Sequence, residues 1–240
     1  MTAAIRRSPP VLYPETDHMG EGELQWFMAK LLQEQLAAWL AARRVVAHAG
    51  GNTFLYYREG DPHARIAPDV YVLPGVPQEQ LGKTWRMWEL TAPPSLAVEI
   101  VSNDAHKDYF DAPAIHSEIG TRELVVYDPE MPARSKTRVR FQVFRRLPKR
   151  GFVLTESTQE DRVRSALGCF LRVVGRGDAR RLRVAKGPRG DELLPTDAER
   201  LASLTKRASA EARRAAELEA EVVATQARVA ELEAELARRR

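Results

Sequence analysis

Apolar positions follow two periods in the body of the chain and a third in its tail. Over residues 21–43, Leu24, Phe27, Met28, Leu31, Leu32, Leu36, Trp39 and Leu40 recur every three or four residues, which predicts a helix with one wide apolar stripe. Glu21 lies three residues before Leu24 and seven before Met28, so the same stripe carries it toward the buried side; Glu23 is placed alike relative to Phe27. Gly50-Gly51-Asn52 ends this unit. Residues 53–57, 69–74, 95–102 and 123–127 are then rich in Val, Ile, Leu and Tyr between turn residues and read as strands. A polar stretch over 102–111 leads into a short helical candidate at 113–119, closed by Gly120. Residues 138–145 alternate, with Val139, Phe141 and Val143 on one face, and 152–155 return across the turn at Pro148-Lys149-Arg150-Gly151 as a hairpin. Residues 167–174 and 182–184 add short strands. The order predicts an α+β (mixed α/β) fold, one helix packed on a mixed β-sheet.

From Thr196 the composition turns to Ala, Glu, Arg and Leu, without Gly or Pro. Leu201, Ala208, Ala215, Val222, Val229 and Leu236 are spaced by seven, and Leu204, Leu218 and Leu232 fall three after alternate members; Glu211 and Thr225 interrupt. That is an a/d heptad seam, the mark of a coiled coil and most simply of a homodimer through residues 201–236. A single amphipathic helix lying on its own domain is the other reading. The expected division is a globular domain over 1–195 and a helical tail over 196–240.

The 240 residues are 44% apolar, enough for a buried core. No apolar run approaches the roughly 18 residues that span a bilayer, and the first ten residues lack the apolar segment of a secretory signal. Cys169 is the single cysteine, which excludes an internal disulfide and a cysteine-based zinc site and makes a cytoplasmic setting the natural expectation. The net charge of +4 hides an asymmetry: residues 1–133 hold 18 acids and 11 bases, and residues 134–186 hold 16 bases and 4 acids. An acidic segment beside a basic one fits a metal site next to a phosphate-binding surface, although arginines on solvated strand faces would give the same count.

Two residues break the strand pattern. Asp69 opens one strand and Glu99 sits inside another, between Val98 and Ile100. A buried carboxylate is costly unless it is paired, hydrogen-bonded or bound to a metal, so these positions are the candidates for function. With Glu21 they make three inward carboxylates, a donor set for a hard cation such as Mg2+ or Mn2+. Such an ion activates water and stabilises charge developing on a phosphodiester. Structural pairing with Arg65 or Arg122 is the alternative.

Ala67-Pro68-Asp69-Val70-Tyr71-Val72, Leu96-Ala97-Val98-Glu99-Ile100-Val101-Ser102 and Gly120-Thr121-Arg122-Glu123-Leu124-Val125-Val126-Tyr127-Asp128-Pro129 together resemble the Uma-two family of restriction-endonuclease-like proteins, in the PD-(D/E)XK nuclease superfamily. The resemblance covers about residues 13–195; Met19-Gly20-Glu21-Gly22-Glu23-Leu24-Gln25 matches the opening of the family's helix, and a charged tail is common there. It implies a restriction-endonuclease-like core, Asp69 and Glu99 as metal-binding acids, and Glu21 as the acid that joins them. The superfamily pattern places a lysine two residues after Glu99, where Val101 stands; the family's displaced lysine falls at Ala112. Lys107 is the only lysine between Glu99 and Gly120 and the candidate to replace it.

These features support a Mg2+-dependent endonuclease acting on DNA, with Lys107 assisting Asp69 and Glu99, arginines of 134–186 on phosphates and the tail forming a homodimer. The rival is a nuclease fold without turnover that binds nucleic acid or assembles through its coiled coil. A coiled-coil adaptor with a protein-binding head is the third reading.

Overall fold

The computed structural model describes residues 22–102, 106–131, 135 and 138–239. The chain divides into two compact units, Met1–Leu194 and Pro195–Arg240. In the first, a six-stranded mixed sheet runs in the order β1 (Ala47–Gly50), β4 (Val70–Pro74), β6 (Leu96–Ile100), β7 (Glu123–Tyr127), β8 (Phe141–Leu147), β9 (Gly151–Thr158). Only β6 and β7 run parallel in it. They are joined through a π-helical turn (Lys107–Asp111) and α2 (Ala112–Ile119), as a parallel pair requires a crossover rather than a hairpin. β6 and β7 are buried at every residue, the pattern of strands covered on both faces.

One face carries Val70, Val72, Leu96, Val98, Ile100, Val125, Tyr127, Phe141 and Val143. Packed there are α1 (Glu23–Ala42) and a second sheet of β10 (Arg162–Arg164), β11 (Phe170–Val174), β12 (Arg181–Lys186) and β13 (Glu192–Leu193). Met28, Leu32, Leu36, Trp39 and Leu40 of α1 are buried in this core, and full burial of each large side chain stabilises by about 1.5–3 kcal/mol. Gln35 lies on the same helix face. Its Nε2 donates to the Leu194 carbonyl at 2.6 Å, and its Oε1 accepts from Val184 N at 2.9 Å, so a polar residue inside the apolar stripe ties α1 to β12.

The opposite face divides into two clusters. Tyr71 and Leu73 pack with Leu55 of β2 (Phe54–Tyr56), Ile66 of β3 (Arg65–Ile66), Trp85 of β5 (Thr84–Arg86) and Ala112, while Ala97, Val101, Leu124 and Val126 pack around Tyr109. β2, β3 and β5 form a three-stranded sheet of their own.

The sequence reading differs from the structure in several places. Residues 47–50, Ala-His-Ala-Gly, form an edge strand although nothing in their composition favours one. Pairing with β4 imposes it, and a Cβ on Gly50 would stand 2.5 Å from the Tyr71 ring. Phe27 and Glu23, expected on the buried stripe, are both exposed, because the stripe is centred on Met28, Leu32 and Leu36 and leaves position 27 at its edge. The strand expected from 138 begins at Phe141. Asp128 takes the Arg138 side chain just before it.

The second unit is α3 (Asp197–Arg238), 42 residues long with no buried residue. A capping box starts it: Thr196 Oγ1 accepts from Glu199 N at 3.1 Å, and Glu199 Oε2 accepts from Thr196 N at 2.8 Å. Among the described residues, no helix is long and apolar enough to cross a membrane.

Candidate active site

Two of the site candidates, Asp69 and Glu99, lie at the adjoining ends of β4 and β6. These strands pair antiparallel with Val70 opposite Val98 and Tyr71 opposite Ala97; continuing that register sets Asp69 opposite Glu99. Directly opposed residues on antiparallel strands project from the same face. Both carboxylates are buried, each 6% exposed.

Asp69 is fixed from both sides. Its Oδ2 accepts the Ile100 amide at 2.5 Å. Gln25 Nε2 donates to Asp69 Oδ1 at 3.2 Å, with Oδ2 at 3.4 Å, and lies 3.1 Å from the Ile100 carbonyl oxygen. Gln25 precedes Ala29 and Leu32 of the buried stripe by four and seven residues, so the face that packs α1 on the sheet also aims this amide at the strand ends. The chain before Asp69 is held equally closely. Asn52 N donates to the Pro68 carbonyl at 2.9 Å, and a Cβ on Gly51 would stand 2.3 Å from the Asp69 carbonyl oxygen. Only glycine permits that approach.

Glu99 meets a histidine. His116 Nε2 lies 3.2 Å from Glu99 Oε1, and Nδ1 lies 2.9 Å from Thr121 Oγ1. His116 and Thr121 are fully buried. Burial pushes the imidazole down to about 3, so the ring is neutral at pH 7. Facing a carboxylate, it carries its proton on Nε2 and accepts the Thr121 hydroxyl at Nδ1. Gly120, with φ +89°, ends α2 and lets Thr121 N close the last turn on the His116 carbonyl at 3.1 Å.

The remaining predicted residues fall as follows. Glu21 lies outside the described residues. Lys107 is exposed at the start of the π-helical turn. The segment expected as a polar loop is helical from His106, because the buried Asp108 and Tyr109 anchor it. Asp108 Oδ2 accepts Ser102 N at 2.9 Å, and Tyr109 Oη bonds Asp128 Oδ2 at 2.9 Å. Val101 and Ala112, where the lysine is expected, are both buried among apolar side chains.

Arginine pairing fixes several other carboxylates. Arg145 Nε donates to Glu123 Oε1 at 2.8 Å, and Arg138 makes a two-pronged pair with Asp128 at 2.6 and 2.8 Å. Arg146 holds the Thr121 and Ser117 carbonyls, and Arg162 and Arg172 both engage Asp161. These members of the basic segment therefore serve the fold.

The Asp69 carboxylate and the Ile100 carbonyl offer hard oxygens to one point, where the Gln25 amide bridges them as a cation would, and Glu99 stands opposite Asp69 in the strand register. Among the described residues, no group of three or more His, Cys, Asp or Glu side chains forms a metal site. The donor set fits an ion that takes one or two carboxylates and completes its shell with water and phosphate, as Mg2+ does. It does not fit a closed protein cage.

Residues 16–168 match the family model described as "Uma2: Putative restriction endonuclease". The chain belongs to the Uma2 family. Asp69, Glu99 and His116 all fall inside the match. Nucleases of the restriction-endonuclease type generally work with divalent metal ions on nucleic acid. Among solved structures, the chain is similar to one described as a putative nuclease belonging to DUF820 from Anabaena variabilis, at 15% identity and a TM-score of 0.37, over 57% of this chain and 68% of that one. No curated protein matches.

Two residues of this arrangement escaped the sequence reading. Gln25 carried a signal, its place on the α1 stripe, but a neutral amide does not stand out as a misplaced carboxylate does. His116 carried none, since a histidine in an eight-residue helix is compatible with any role.

Proposed function

We propose that this protein is a Mg2+- or Mn2+-dependent endonuclease that hydrolyses DNA phosphodiester bonds. The observation that carries the reading is the pairing of Asp69 and Glu99: two buried carboxylates opposed on adjacent strands inside the family match. Asp69 and Glu99, with Glu21, would hold the ion, which would supply Lewis acidity toward a phosphate and an activated water. Asp69 is oriented by the Ile100 amide and by Gln25, and Glu99 by His116. Lys107 approaches the scissile phosphate as the replacement cation. The exposed bases of 134–186 contact the backbone without reading sequence. The tail pairs two copies through residues 201–236, which offers one site to each strand of a duplex. The single buried cysteine agrees with a cytoplasmic setting.

A second reading is favoured by Val101 and Ala112. Both lysine positions are apolar core, so the fold could serve binding or assembly without turnover. Plasmid DNA incubated with Mg2+ or Mn2+, beside an Asp69→Ala control, separates the two. Metal-dependent nicking that the substitution abolishes is the expected result. Nicking that survives it removes Asp69 from the site, and intact DNA with either metal leaves the binding module.

A further inference from the structure

We propose that α3 pairs with a second copy of this chain as a parallel, in-register two-stranded coiled coil, both Thr196 caps at one end. This rests on the reading of residues 201–236 as a homodimer seam and adds the orientation, which that reading leaves open.

The apolar seam is fully available. Leu201, Leu204, Leu218, Val222, Val229, Leu232 and Leu236 are between 43% and 66% exposed, and no α3 residue is buried. With Leu201 at a, the lower half reads Leu218 at d, Val222 at a, Val229 at a and Leu232 at d. Among parallel coiled coils, valine at a with leucine at d is the combination that favours two strands.

Flanking charge selects the parallel orientation. In a parallel pair, each g residue faces the e residue of the partner's next heptad. Here Arg214 faces Glu219 and Arg228 faces Glu233, each twice by symmetry, and Arg207 and Glu221 face the uncharged Ala212 and Gln226. No like-charged pair arises. The antiparallel alignment that sets Leu204 against Leu236 brings g against g instead, opposing Arg214 to Arg228 and Glu221 to its own copy. Arg228 already pairs with Glu231 on its own helix, but at 65% exposure it is free to reach across. The seam is weakest at Ala208, Glu211 and Ala215. There the Glu211 carboxylate has Arg207 and Arg214 on its own helix, four residues before and three after it.

Full-length protein provides the test. Sedimentation gives the stoichiometry. Leu218→Cys, oxidised mildly, reports a parallel pair, since d faces d; Cys169 is buried and stays silent. A mixture of Leu204→Cys and Leu236→Cys proteins reports the antiparallel alignment. A dimer with Leu218→Cys self-crosslinks supports the proposal. A dimer that crosslinks only in the mixture overturns the orientation and leaves the dimer. A monomer, or any higher oligomer, overturns both. Charge reversal gives an independent readout: the Arg214→Glu/Arg228→Glu double variant self-associates about tenfold more weakly or worse. Mixing it with Glu219→Arg/Glu233→Arg protein restores pairing if the strands are parallel; no restoration overturns the proposal.

Discussion

His116 Nε2 lies 3.2 Å from Glu99 Oε1 while its Nδ1 takes the Thr121 hydroxyl, so one neutral ring links the crossover helix to the central strand. Replacing it with leucine keeps the volume but leaves Glu99 and Thr121 each without this bond. Losing buried partners costs about 1–3 kcal/mol, so His116→Leu is expected to lower stability by roughly 2–3 kcal/mol. Urea unfolding checks this through a lower midpoint at an unchanged slope.

Gly51 is held 2.3 Å, by an added Cβ, from the Asp69 carbonyl oxygen. Gly51→Ala therefore pushes the start of β4 away from β6 and weakens the Asp69–Ile100 bond. The expected cost is on the order of 1–3 kcal/mol, as for overpacking generally. Thermal denaturation measures it, and Gly22→Ala, with open space around it, is the control expected to change little.

Asp128 is fully buried, with Arg138 across both oxygens. Arg138→Met removes one partner and leaves a buried carboxylate, which costs about 3 kcal/mol. Asp128→Asn in the same chain removes the stranded charge, and the double variant is expected to regain part of the loss. A double-mutant cycle in urea reads this.

Tyr109 and Tyr127 are both pushed up to about 12, chiefly by burial. Below the ordinary tyrosine value of 10 both states keep the proton and stability is unaffected. Between 10 and 12 the unfolded chain ionises first, so stability falls as pH rises through that window. Tyr127 Oη is buried with no hydrogen-bond partner among the described residues. Tyr127→Phe is thus expected to be neutral or stabilising by about 1 kcal/mol and to flatten the alkaline limb of a melting-temperature profile over pH 9–12.

Gln25 bridges Asp69 and the Ile100 carbonyl. Gln25→Glu puts another carboxylate there: destabilising without a divalent ion, but binding Mn2+ about tenfold more tightly, since ligand charge tunes such sites. The metal-induced rise in melting temperature, compared with wild type over a Mn2+ titration, checks both halves.

Sequence alone determined the mixed α+β class, the α1 helix, the β4, β6 and β7 strands and the tail helix, because hydrophobic period is a local record of which face is buried. It also singled out Asp69 and Glu99, since a carboxylate inside an apolar strand is visible without neighbours. What pairs with what was decided in three dimensions. β1 exists only because β4 offers it a ladder, and Gly50 and Gly51 are needed by Tyr71 and Asp69, far along the chain. Within the basic segment, Arg145, Arg138 and Arg172 turned out to hold Glu123, Asp128 and Asp161, because a charge count carries no partner. Gln25 and His116 became visible only once α1 and α2 were packed on opposite faces of one sheet. A hydrogen bond spanning 44 residues, from Gln25 to Asp69, leaves no periodic trace at either end.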